Sequence, residues 1–242
     1  ESFGSTIVRN SPLCACVALQ CLERCPPCHH GGSKDFIFPL VAKQVYPPLG
    51  QAVGGARDTA APCAYLFDLG ASLYRSGLGG SSQDWFVDNY ARRGIRFHRI
   101  LSWEPTAHSG TEVVAGMPPE VYDITSYFNV GVSGEPSDKL NPLRTLRAIT
   151  RPSDLVVLKI DIDAPAIEHK LFEQLLDDPS LHQRVDELYY EDHVRLHPFM
   201  HGGPWARHLD EALWKGMNRT IMDSIAMFHQ LRRLGVRAHS WV

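Results

Sequence analysis

From residue 62 onward, short runs of apolar and β-branched residues alternate with longer segments of helical period. The runs at 64–69, 96–103, 127–132, 154–162, 187–191 and 236–241 predict strands. Between them, helices are predicted at about 82–93, 118–125, 141–149, 166–177 and 218–234. The last is the clearest, since Ile221, Ile225, Phe228, Leu231 and Leu234 recur every three or four residues and Gly235 stands where a C-cap is expected. Strand-helix-strand alternation at this spacing implies parallel strands joined by right-handed crossovers. The predicted fold class is α/β: a Rossmann-like, doubly wound, mostly parallel sheet with helices on both faces.

The first quarter of the chain reads differently. Residues 1–61 carry Gly31-Gly32, Pro47-Pro48 and Gly54-Gly55, with one helix-like stretch at about 34–46. They are read as a Cys/Pro/Gly-rich N-terminal extension preceding a Rossmann-like domain over 62–242. Five of the six cysteines, Cys14, Cys16, Cys21, Cys25 and Cys28, crowd into this extension, and Cys63 stands apart. Disulfides suit the even total. A zinc site drawing on Cys25-Pro-Pro-Cys28 with His29 and His30 and free thiols remain open beside them. A thioredoxin-like redox pair does not fit, because no strand pattern precedes Cys25. Disulfides and the sequon Asn218-Arg219-Thr220 favour the lumen of the secretory pathway, with the cytoplasm or an organelle as the alternative. The sequon also has a plain structural reading, Asn218 as N-cap of the final helix. The chain opens on Glu1 rather than Met, which is compatible with a removed targeting segment.

Composition narrows the function classes. The chain has 242 residues, 44% hydrophobic and 21% charged, an ordinary globular composition that excludes collagen-like, disordered and coiled-coil classes. A formal charge of −3 gives no footprint for nucleic acid. No apolar run approaches the length of a membrane span, so none is expected. Small-molecule or glycan partners are favoured, with the extension as a surface for a protein partner.

In a doubly wound sheet, ligands bind beyond the carboxyl ends of the strands, so the residues ending each strand carry the candidate chemistry. The first strand runs into Asp68-Leu-Gly70-Ala71-Ser72, where a glycine permits a sharp turn and a carboxylate can meet hydroxyl or ammonium groups. The second ends in Trp103-Glu104, an acid at the position where nucleotide-binding folds grip a ribose. The fourth is a continuous apolar run ending in Asp161 and Asp163, which period-2 geometry would set on one face. Two like charges there repel unless a ligand, cation or proton separates them. Asp163 has an alternative reading as a cap of the helix opening at Pro165.

Taken in order, Asp68-Leu-Gly-Ala, Trp103-Glu104, Asn129-Val-Gly-Val132, Leu158-Lys-Ile-Asp-Ile-Asp163 and Tyr189-Tyr-Glu-Asp-His193 resemble the landmarks of the FkbM-type methyltransferases. That family comprises S-adenosylmethionine-dependent O-methyltransferases on a Rossmann-like sheet. The resemblance covers about residues 62–242. It implies that the turn over Asp68, Gly70, Ala71 and Ser72 wraps the methionine half of S-adenosylmethionine, that Glu104 binds its ribose, and that 159–164 lies beside the transferred methyl group. Two departures stand out: Tyr74 replaces a turn glycine and is followed by Gly77-Leu-Gly-Gly-Ser-Ser82, and the family's Glu-Gly is Asp163-Ala164.

Methyl transfer to a hydroxyl needs an in-line approach and a base for the departing proton. His193 is the expected base, as a neutral imidazole oriented by Glu191 or Asp163, while Asp161 holds the acceptor or the cofactor ammonium. The segment that follows, with His197, His201, Trp205, His208 and Trp214, is expected to cover the acceptor pocket. His193, His197 and His201 would share a helical face, but Pro198 and Gly202-Gly203 argue for a loop, so no metal site is assigned. Trp103, Trp205 and Trp214 suit stacking on sugar faces. The competing expectation is a non-catalytic relative that keeps the sheet and serves as a structural or assembly subunit, with Tyr74 as its best support. A nicotinamide-dependent oxidoreductase is weaker, because Asp68-Leu-Gly-Ala-Ser-Leu-Tyr74 lacks G-x-G-x-x-G.

Overall fold

The computed structural model describes residues 62–75, 83–193 and 219–241. The helix-like stretch at 34–46, the five clustered cysteines and the expected lid with His197, His201, His208, Trp205 and Trp214 lie outside them. Cys63 is within them and carries a free thiol.

The six predicted strands all form: β1 (Ala64–Leu69), β2 (Arg99–Trp103), β3 (Thr125–Phe128), β4 (Leu155–Ile160), β5 (Glu187–Tyr190) and β6 (Arg237–Ser240). They make one six-stranded sheet of order β3-β2-β1-β4-β5-β6, parallel at every pairing. The crossovers carry α1 (Gln83–Ala91), α2 (Gly110–Val114), α3 (Pro119–Tyr122), α4 (Pro142–Ile149), α5 (Pro165–Asp177), α6 (Pro179–His182) and α7 (Ile221–Arg233). Strand alternation divides the core in two. Phe67, Leu69, Leu158 and Ile160 face one way and pack on α5 and α7 through Phe172 and Phe228. Leu66, Ile100 and Val157 face the other and pack on α1 through Trp85, Phe86 and Tyr90. A sheet covered on both faces explains why its central strands read as unbroken apolar runs. Among the described residues no helix is long and apolar enough to cross a membrane.

The ends of the elements differ from expectation for local reasons. β2 starts only at Arg99, because the chain bends at His98, whose N–H donates to Ala64 O (2.7 Å) while Ala64 N–H donates back to the His98 side chain at Nδ1 (2.8 Å) instead of to a backbone carbonyl. β3 stops at Phe128 because Asn129 turns away and its Nδ2 donates to the carbonyls of Glu104 and Thr106 (2.7 and 2.6 Å). The final helix is capped by Thr220, in a reciprocal box with Asp223, and not by Asn218. Trp103 is core rather than an exposed sugar-stacking surface: it is 5% exposed and its ring stacks between Phe67 and Phe128.

Candidate functional site

β1 and β4 are neighbours, yet the chain leaves β1 toward β2 and reaches β4 only after β3. This reversal of direction opens a crevice beyond the carboxyl ends of the two strands, where open α/β sheets bind ligands. The residues singled out in the sequence gather along this edge in two groups.

The first group is the turn after β1. Gly70 adopts φ +80, and a Cβ there would lie 1.6 Å from the carbonyl oxygen of Asp161, so only glycine lets the turn close on the end of β4. The backbone N–H groups of Gly70 and Ala71 both donate to Trp103 O (3.0 and 3.1 Å). Ser72 also takes a left-handed φ of 49, uncommon for a residue with a side chain. It is held there by Glu104, whose Oε2 accepts from Ser72 N–H (2.9 Å) and whose Oε1 accepts from Thr106 N–H (2.8 Å). Tyr127 completes the clasp by donating its hydroxyl to Ser72 O (2.8 Å). Glu104 is thus a brace for the turn, with lone pairs beyond those two bonds still able to accept.

Asp68 is turned inward and is 1% exposed. Its Oδ1 lies 3.2 Å from Lys159 Nζ and its Oδ2 accepts from Gln83 Nε2 (3.1 Å). Lys159 also donates to Gly70 O (2.8 Å) and lies 3.3 Å from Asp161 Oδ2. Burial opposes the charge on Lys159, but Asp161 and Asp68 outweigh it and raise its pKa further, so it is held as a cation. Asp161 accepts on the same oxygen from the indole N–H of Trp241 (3.0 Å), a residue at the exit of β6. Tyr74 is 3% exposed and packs into the α1 side of the core, where the family resemblance leads one to expect a turn glycine.

The second group lies beyond β4 and β5. Asp163 has φ 53 and does not cap α5; the N-cap is Ala164, with no side-chain cap bond. Its carboxylate is 70% exposed and faces His193. His193 is 5% exposed at its side chain, with Nδ1 2.9 Å from Oε2 of the fully buried Glu168. The other oxygen of Glu168 accepts from Ile162 N–H (2.8 Å). Nε2 therefore points into the crevice, 3.6 Å from Asp163 Oδ1 and 3.7 Å from Glu191 Oε2. The partner that orients the imidazole is Glu168, one helical turn into α5, rather than Glu191 or Asp163. Behind it, Asp192 and Arg219 form a two-pronged ion pair (2.9 and 2.8 Å) that ties the exit of β5 to the start of α7.

Electrostatics set the second group apart. Burial and the neighbouring Asp161 carboxylate push the Glu191 carboxyl well above its ordinary range. For His193, burial would lower the pKa, but attraction to Asp163 and Glu168, and to Glu191, overrides it and raises the value to about 11. So surrounded, the His193 imidazole holds its proton at neutral pH, where the sequence leads one to expect a neutral base.

Six of the nine sequence-derived candidates, Asp68, Gly70, Asp161, Asp163, Glu191 and His193, meet at the ends of β1, β4 and β5, while Ala71, Ser72 and Glu104 form the adjoining turn and its brace. Sequence reasoning missed Gln83, Glu168 and Trp241. Only Glu168 offered a signal, as the sole acid in the first turn of a helix following a strand-end motif. No family model, no curated protein and no solved structure matches this chain.

Proposed function

We propose that this chain is an S-adenosylmethionine-dependent O-methyltransferase acting on a hydroxyl group of a small molecule or glycan. The observation that carries the reading is the turn at the switch point. Gly70 is pressed onto the end of β4, with Ser72 and Glu104 beside it, next to an acid-rich gap suited to a ligand bearing an ammonium and a sulfonium. The turn and Glu104 would take the methionine and ribose portions, while Asp163, Glu191 and His193 would line the acceptor side, with the exposed Asp163 carboxylate placed to receive the proton that leaves the hydroxyl. The ordered landmarks of the family resemblance support the same assignment.

Calorimetry on the intact chain tests it. S-adenosylmethionine or its demethylated product should bind with micromolar affinity, about −8 kcal/mol. Glu104→Ala, shown to be folded, should weaken binding by about 1.5–3 kcal/mol through loss of a charge-assisted acceptor and of the brace on Ser72. No heat and no thermal shift at millimolar cofactor, with folded protein, would overturn the reading.

A second reading, a structural or assembly subunit without catalysis, is favoured by two observations. Asp68 is consumed by Lys159 and Gln83, and Tyr74 is buried in the core where a cofactor turn would have glycine. It predicts a folded chain that ignores the cofactor.

A further inference from the structure

Asp163, Glu191 and His193 each offer one ligand atom, and these atoms all lie within 4.8 Å of one another. We propose that this trio binds a divalent metal ion through one oxygen of Asp163, one oxygen of Glu191 and Nε2 of His193, the ion taking the place of the Nε2 proton, which is released to solvent. The inference stands on the donor set and its setting, independently of methyl transfer.

Four features of the site carry it. The first is orientation. A histidine whose far nitrogen is held by a buried carboxylate is fixed in the tautomer and direction that present the near nitrogen to a metal. Glu168 provides this at 2.9 Å on Nδ1, and is itself fixed by Ile162 N–H. The second is spacing. Nε2 stands 3.6 and 3.7 Å from the two carboxylate oxygens, beyond a direct hydrogen bond. Donors sharing an ion with bonds of about 2.1 Å sit roughly 3.0–3.4 Å apart, so a few tenths of an ångström bring either carboxylate oxygen to that distance from Nε2. The third is charge. Asp68, Asp161, Asp163, Glu168 and Glu191 lie along this edge, and among the described residues Lys159 and His193 are the cations that meet them. Lys159 is spent on Asp68 and Asp161, which leaves His193, among the described residues, as the cation facing Asp163, Glu168 and Glu191. The fourth is access: the Asp163 and Glu191 side chains are 70% and 30% exposed, which gives an ion a way in and leaves coordination positions for water or a substrate oxygen.

Two carboxylates and one imidazole, without sulfur, suit manganese among the first-row ions over metals that prefer thiolates. Manganese also avoids the clustered cysteines of residues 14–28, which would compete for zinc. The test is a titration of chelator-treated full-length chain with Mn²⁺, following loss of the free-ion resonance, with no methyl donor present. One ion per chain is expected, and pulsed resonance on the wild-type complex should show coupling to one imidazole nitrogen. Asp163→Asn with Glu191→Gln should abolish the site, and Glu168→Gln, acting through His193, should weaken it by about 10–100-fold. Absence of a bound-ion signal in the wild-type chain, a bound ion without nitrogen coupling, or a folded double variant that binds as wild type does would each overturn the proposal. Because the wild-type spectrum is decisive by itself, a variant that failed to fold would not protect it.

Discussion

The sheet carries two clusters of ionisable side chains, and they are built oppositely. At the amino-terminal end of β5, Glu187 is fully buried and Arg237 pairs with it at 2.9 Å, while the hydroxyls of Tyr90 and Tyr189 donate to its other oxygen. The adjoining His239 stacks on Tyr189. One acid meets one base, and the group is almost wholly enclosed. At the carboxyl edge, five acids meet Lys159 and His193, and the cluster opens to solvent through Asp163 and Glu191. Perturbed carboxyl groups occur in both: burial raises Glu187 against the pull of Arg237, and burial with Asp161 raises Glu191. A shifted pKa therefore does not separate the two. Charge surplus and an opening do, and those are the properties a ligand for a cation-accepting site requires.

The largest expected effect lies where the open cluster is anchored. Lys159 balances Asp68 and Asp161 from within the sheet, and its replacement by Met keeps the volume but strands two carboxylates. Denaturant unfolding of Lys159→Met should show a loss of about 3–5 kcal/mol, the usual cost of breaking a buried pair by removing one partner. Adding Asp68→Asn should recover part of it. An unchanged midpoint would mean that Lys159 does not balance Asp68 and Asp161, and the contrast between the two ends of the sheet would lose its basis.

A smaller loss is expected at the joint between the two strand ends. Gly70→Ala places a methyl group against the Asp161 carbonyl at a left-handed φ, so unfolding free energy should fall by about 2–4 kcal/mol, and the end of β4 should shift. If the variant keeps wild-type stability and metal binding, the turn is not coupled to the open cluster in the way the contact implies.

This joint also marks how far the sequence could be read. The parallel sheet and its helices on both faces follow from the spacing of apolar runs and helical segments, and Asp68, Gly70, Asp161 and His193 were legible because strand ends in this fold class converge. The side chains that hold them were not, because their contacts are remote in sequence. Trp241 reaches Asp161 across 80 positions, and Gln83 reaches Asp68 across 15. Glu104 was read as a ribose ligand from its position alone, but two backbone amides also claim its carboxylate, and one of them belongs to the left-handed Ser72. Local pattern specifies which element a residue ends. It does not specify which of its neighbours will satisfy it.

The smallest effect tests the closed cluster through pH. Burial, with the charges of Arg232 and Arg237, lowers the His239 pKa from 6.5 to about 3, and among the described residues Nε2 meets no hydrogen-bond partner. Glu187 lies 4.0 Å away but is occupied by Arg237 and the two tyrosines. The folded protein therefore keeps His239 neutral where the unfolded chain protonates it. Because the folded value is the lower one, the unfolded state binds more protons between the two values, and stability must fall as pH drops from 6.5 toward 3. Over pH 6.5 to 5, above the main carboxylate range, the loss should approach about 1.4 kcal/mol per unit, or about 2 kcal/mol in all. His239→Phe retains an aromatic ring against Tyr189 and has no proton to take up, so its unfolding free energy should be flatter by that amount over the same interval. An identical slope in both proteins would mean that His239 does charge in the fold, and that the cluster at this end of the sheet is not closed.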